Sequence, residues 1–177
     1  MQFRAIQAYS VLFCFAVSVS VASAAGPKSA HADLKNAQGA KVGTAKITAK
    51  GDAVKMTVKV SGLTAGEHGI HIHNVGKCDA PDFKTAGGHF NPTNAHHGVN
   101  NTQNPKPHLG DLANLTVKPD GTGSASFTLT GVTLGDGANS LFHDGGTSIV
   151  IHAKADDLMS DPSGNSGDRV ACGVIEK

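Results

Sequence analysis

The sequence predicts an all-β domain: an eight-stranded antiparallel Greek-key β-sandwich, or flattened barrel, with two long functional loops. Three observations point there. Short segments alternate apolar and polar residues, as strands with one buried face do. Turn residues separate them at regular spacing, and glycine, 22 of 177 residues, suits so many turns. No segment of useful length carries a helical period.

The N-terminus stands apart from this pattern. Arg4 supplies a basic start, residues 8–21 an apolar stretch, and Ala22-Ser23-Ala24 a small-residue cleavage pattern. The expectation is a removed signal peptide over 1–24 and a single domain over 25–177. The apolar stretch is short for a membrane span, which needs about 20 residues. Cys14 leaves with it, so Cys78 and Cys172 are the remaining thiols. An even number in an exported chain predicts a disulfide. Lys and Arg number 15, Arg4 among them, against 14 acidic residues, so the exported chain is close to neutral. Neither a basic face nor an aromatic platform for nucleic acid is present.

Residues 26–30 read as a loose leader, with alternation beginning at Ala32. Ala45–Thr48 and Val54–Val60 alternate across a turn at Lys50-Gly51-Asp52. Ser61–Gly66 breaks the chain before His68-Gly69-Ile70-His71-Ile72-His73. If that stretch is extended, His71 and His73 share one face about 6.5–7 Å apart, and Ile70 and Ile72 share the other. Leu112–Lys118 reads as a strand ended by Pro119-Asp120-Gly121. Ser124–Leu129 alternates with Phe127 and Leu129 inward, and Ser148–Ala153 and Arg169–Ile175 complete the set. Residues 74–110 and 154–168 are long, polar and rich in Gly, Pro and Asn. Structureless loops of that length in a compact domain are functional or disordered.

One His-x-His pair is weak evidence of chemistry. Here His71 and His73 are followed by His89, His97, His108, Asp111 and His152. Imidazole nitrogen suits copper and zinc, and zinc also accepts a carboxylate oxygen. No nucleophile elbow, phosphate loop or spaced carboxylate pair competes.

Five motifs then match a family in order: Gly69-Ile70-His71-Ile72-His73, Gly87-Gly88-His89-Phe90-Asn91-Pro92, His108-Leu109-Gly110-Asp111-Leu112, Ile151-His152-Ala153-Lys154-Ala155-Asp156-Asp157 and Arg169-Val170-Ala171-Cys172-Gly173-Val174-Ile175. Together they resemble copper/zinc superoxide dismutase. The leader and Gly164–Arg169 resemble its bacterial periplasmic branch, which implies a periplasmic location. The resemblance implies that His71, His73, His89 and His152 bind one copper. His89, His97, His108 and Asp111 would bind one zinc, with His89 shared between the ions. Asp156 would accept hydrogen bonds from His71 and His97, Arg169 would attract the substrate anion, and Cys78 would pair with Cys172. The implied reaction disproportionates two superoxide anions to oxygen and hydrogen peroxide by alternate reduction and oxidation of copper. His89 would carry a proton to the departing peroxide.

The residues also define what is expected to be plain structure. His68 reads as a structural hydrogen bonder, His31 and His143 as solvated, and Asp157 as a surface carboxylate. His96 adjoins His97, and only the family register favours 97. Between Asp156 and Arg169 the chain carries Asp157, Asp161 and Asp168 and no lysine, so Lys77 and Lys84 are candidate replacements for steering charges. A copper carrier on the same fold and a cupin-type metal enzyme are rival readings. Carriers often lack a copper ligand or the arginine, and cupins need a glutamate soon after His-x-His. No membrane partner is expected after cleavage, and monomer and homodimer are both left open.

Overall fold

The computed structural model describes residues 26–51, 53–103 and 106–177. The expected signal peptide over 1–24 lies outside them, as does the domain's first residue, 25. Among the described residues there are nine strands: β1 Ser29–Asn36, β2 Lys41–Lys50, β3 Ala53–Val60, β4 Gly66–His68, β5 Ile70–His73, β6 Leu115–Val117, β7 Gly123–Thr130, β8 Ser148–His152 and β9 Arg169–Val174. The helical content among the described residues is one 3-10 turn, Lys84–Ala86. The strands make one antiparallel sheet in the order β4-β6-β7-β3-β2-β1-β9-β8-β5. Its two ends, β4 and β5, are consecutive in the chain, so the sheet curls into a nearly closed barrel with Greek-key crossovers.

The count is nine because the histidine stretch is two strands. Gly69 divides it: His68 pairs with Leu115 of β6, whereas Ile70 pairs with Ile151 of β8. A Cβ at Gly69 would stand 2.8 Å from Ser166 Cβ and 3.2 Å from His71 Cε1, so the chain turns where no side chain fits. β1 begins earlier than the alternation suggests, because Ala30 is buried and Ser29 pairs with Thr48. β6 is shorter than residues 112–118, because Asn114 turns its side chain to the backbone of Asp156.

The core comes from one face of each strand. Ile47, Met56, Ile70, Ile72, Leu115, Ile149 and Ile151 are fully buried, each stabilising the fold by about 1.5–3 kcal/mol relative to exposure. In β5 and β8 every residue is buried, on both faces. Isoleucines fill the inner face, while His71, His73, Val150 and His152 point outward under the long loops. Phe83 and Ala86 of the first loop form a small second core with Val150 and Cys172. Cys78 and Cys172 are joined by the expected disulfide, at a sequence separation of 94.

Candidate metal centre

β5 would be an open sheet edge if the first loop did not return along it. Phe90 N–H donates to Ile72 O, Ile72 N–H to Gly110 O and Asn74 N–H to Gly88 O, all at 2.8–2.9 Å. These bonds set His89 opposite His73 and Asp111 opposite His71. Gly110 is required, since a Cβ there would sit 2.3 Å from Ile72 O. The backbone thereby brings His89 and Asp111 to residues that β5 already aims outward.

Four nitrogens converge at the first set. His71 Nδ1, His73 Nε2, His89 Nε2 and His152 Nε2 are buried and have no hydrogen-bond partner. The ligand atoms of these four residues lie within 4.8 Å of one another. Buried polar groups without partners are costly, and four converging lone pairs suit a metal ion. The opposite ring nitrogens are all engaged. His71 Nε2–H donates to Asp156 Oδ2 at 2.7 Å, His73 Nδ1–H to Gly87 O at 2.9 Å and His152 Nδ1–H to Gly167 O at 3.1 Å. Those bonds fix the tautomers and turn the free lone pairs toward a common point. Burial pushes His71 down to about 3, His73 to about 2 and His152 to about 4, so all three are neutral at pH 7, the form a metal takes.

The second set shares His89. Its Nδ1 lies 2.8 Å from Asp111 Oδ1, with His97 Nδ1 at 3.0 Å and His108 Nδ1 at 3.1 Å from the same oxygen. Four ligands about 2.0–2.1 Å from a tetrahedral zinc stand about 3.3 Å apart, so three nitrogens and one oxygen at these spacings fit that ion. Asp111 Oδ2 accepts the N–H groups of Gly98 and His108 at 2.9 and 3.1 Å, which leaves Oδ1 for the cluster. Burial opposes charge on Asp111, but the hydrogen bonds from His108, His89 and His97 hold its carboxyl well below the usual range. Burial likewise opposes charge on His97, yet Asp111 and Asp156 on either side raise it to about 9.

Asp156 ties the sets together. Its Oδ2 takes His71 and its Oδ1 takes His97 Nε2 at 3.0 Å and Leu158 N–H at 2.6 Å. Asn114 holds its backbone reciprocally: Asn114 Nδ2–H donates to Asp156 O at 2.9 Å and Asp156 N–H to Asn114 Oδ1 at 2.8 Å. Arg169, paired with His152 across β8 and β9, is half-buried and gives Nη1–H to Phe83 O and Nη2–H to Gly87 O, both 2.7 Å. Gly87 O thus holds both the His73 ring and the guanidinium. The disulfide anchors the same loop to the strand that carries Arg169.

All eight implied ligand and bridging positions, His71, His73, His89, His97, His108, Asp111, His152 and Asp156, are brought together, and Arg169 lies at their edge. His97, not His96, enters the cluster. His68 is buried with its ring between His152 O, 2.6 Å from Nδ1, and Thr64 O, 2.9 Å from Nε2. His143 departs from the solvated expectation: it is half-buried and stacked on Phe90 at 5.4 Å. Lys84 pairs with Asp82 at 3.0 Å, which reduces its value as a free steering charge, while Lys77 is exposed. Asn114 and Asp161 are site residues that sequence reasoning missed. Asn114 acts across 42 positions, and no local pattern announces that.

A family model for copper/zinc superoxide dismutase (SODC) matches residues 41–175. The chain is similar to superoxide dismutase [Cu-Zn] 1 of Aquifex aeolicus, 41% identical over 169 residues that cover 94% of this chain and 95% of that one. It is 37% identical to superoxide dismutase [Cu-Zn] of Deinococcus radiodurans over 174 residues, 93% of each. Among solved structures, a SOD-like protein from Bacillus subtilis superposes with a TM-score of 0.77 at 36% identity, covering 81% of this chain and 96% of that one. With the histidine sets and the barrel described above, these likenesses place the chain in the copper/zinc superoxide dismutase family.

Proposed function

We propose that the protein is a superoxide dismutase that turns two superoxide anions and two protons into oxygen and hydrogen peroxide. Copper would be held by His71, His73, His89 and His152, and zinc by His89, His97, His108 and Asp111. The observation that carries this reading is the His89 ring, whose Nε2 belongs to four unpartnered buried nitrogens and whose Nδ1 belongs to the cluster on Asp111. When bound, copper would supply one-electron redox chemistry, since it alone of the two ions changes oxidation state.

The chain's own residues divide the remaining work. His71, His73 and His152 sit on strands, so their lone pairs are held by a stiff frame. His89, His97, His108 and Asp111 close the zinc set with four protein ligands, as a structural site requires. Arg169 keeps a fixed positive charge beside the copper set and attracts a small anion. His89 Nε2, buried and without a partner in the protein, would take up a proton from solvent only when it is released from copper, and would pass that proton to the departing peroxide. Full ligand sets and the arginine favour the enzyme over a carrier.

The signal-like leader over 1–24, the domain from residue 25 and the disulfide support export to the periplasm, where the enzyme would remove superoxide outside the cytoplasm. Metal analysis and superoxide decay on the wild type and His89→Ala test the proposal. One copper and one zinc per chain, with rapid superoxide loss abolished in the variant, are expected. Copper uptake without superoxide consumption would contradict the enzyme and favour a carrier.

A further inference from the structure

His96 and His97 are adjacent, each offers an imidazole, and the loop that carries them has no regular structure to fix its register. A slip of one residue would exchange them. The structure separates them through one carboxylate. Asp161 Oδ1 accepts the His97 backbone N–H at 2.6 Å, while Asp161 Oδ2 accepts His96 Nδ1–H at 2.7 Å. One side chain therefore holds the amide of one histidine and the ring of the other.

The grip sits where the two long loops cross. Asn100 N–H donates to Leu158 O at 2.9 Å. Asn101 Nδ2–H reaches both His97 O and Met159 O at 3.1 Å. Gly98 permits the crossing, since a Cβ there would lie 2.3 Å from Leu158 O. With its amide fixed on Asp161, His97 turns its ring inward between Asp111 and Asp156. The His96 ring is kept on the exposed side. As a contact on the surface, His96 with Asp161 contributes little to stability, so its value is geometric.

We propose that Asp161 is a positioning residue that decides which of the two adjacent histidines enters the zinc set. The inference rests on the reading that His89, His97, His108 and Asp111 hold zinc, and it adds the device that fixes the choice of ligand. Holding a ligand's backbone rather than its ring still sets where the ring can reach.

The test uses the mature full chain, loaded with Cu(I), which has no d–d bands, and titrated with Co(II) as a coloured probe for zinc. The wild type should show one tetrahedral band envelope. Asp161→Ala should lower Co(II) affinity about tenfold, as lost outer partners do, and broaden the envelope into two ligand sets. Adding His96→Ala should return the wild-type envelope, since the competitor is gone, without restoring affinity. Asp161→Asn keeps an acceptor for His97 N–H and should keep the wild-type envelope. With Asp161 intact, His97→Ala should leave three protein ligands and a water, giving a shifted tetrahedral envelope that a further His96→Ala does not change, because His96 is tethered away.

A wild-type envelope in Asp161→Ala, whether or not affinity falls, would overturn the inference. So would a His97→Ala variant whose envelope matches the wild type and changes when His96→Ala is added, a result that does not depend on Asp161→Ala folding. A folded wild type without tetrahedral bands, or an envelope and affinity unchanged by His108→Ala, would overturn the zinc set itself and the selection with it.

Discussion

Asp156 makes two histidines from different loops and strands answer to one carboxylate. Burial alone would raise its carboxyl, but hydrogen bonds from His71, His97 and Leu158 N–H hold it well below the usual range. It is ionised throughout the physiological range and fixes one ring in each set. Asp156→Ala should weaken zinc binding about 10–100-fold while the protein stays folded. Competition with a chromophoric chelator measures this, and unchanged affinity would contradict the bridge. Asp157 beside it is exposed, yet it is more than a surface charge. It accepts Met159 N–H at 2.9 Å, Ser160 N–H at 2.8 Å and Asn165 Nδ2–H at 2.9 Å, and the Ser160 contact leads in lowering its carboxyl to about 2. The folded value is depressed, so its stabilisation is present above the ordinary value of about 3.9 and is lost as pH falls toward 2. The stability advantage of wild type over Asp157→Ala should be flat from pH 7 to 5 and shrink below pH 4. An advantage that grows on acidification would contradict this. The ligands were legible because His-x-His spacing and the later motifs are local patterns. Asn114 and Asp161 were not, since their partners lie 42 and 64 positions away.

At the scale of elements, β5 carries two duties with alternate side chains, isoleucines into the core and histidines under the loop. Periodicity of two exposed that division directly. It did not expose the break at Gly69, because a strand pattern says nothing about which neighbour each half will pair with. Gly69→Ala would force its Cβ against Ser166, His71 and Asp156. The expected cost is about 1–3 kcal/mol, read from denaturant unfolding, with weaker metal binding through the displaced His71. A stable variant with normal metal affinity would contradict the hinge. The two long loops were legible from composition, and their acidic character now has a physical account. Asp156 bridges the sets, Asp157 caps its own turn and Asp161 clasps the other loop. These carboxylates serve as hydrogen-bond acceptors, which explains why a loop without lysine is compatible with the site.

On the scale of the whole molecule, a barrel with a full apolar core supports loops that could not order themselves. Among the described residues no helix is long and apolar enough to cross a membrane. The fasteners are the disulfide, the return of residues 88–90 and 110 along β5, and the hydrogen bonds that Asp111 and Asp156 accept from the histidines. With 94 positions between them, Cys78 and Cys172 restrict the unfolded chain by about 4–5 kcal/mol in the entropy model. Replacing both with alanine should lower unfolding free energy by about 2–5 kcal/mol in guanidinium titration. A loss under about 1 kcal/mol would contradict that role. Fold class and loop placement were readable because burial patterns are written locally, whereas closure of the barrel depends on β4 and β5 finding partners at opposite ends of one sheet.

The central claim is that a single imidazole, His89, belongs to both metal sets. The most direct measurement is a crystal structure of the metal-loaded protein with anomalous scattering recorded at the copper and zinc edges. Copper is expected beside His89 Nε2 with His71, His73 and His152, and zinc beside His89 Nδ1 with His97, His108 and Asp111. Either ion bound away from the His89 ring, or that ring turned to solvent, would contradict it.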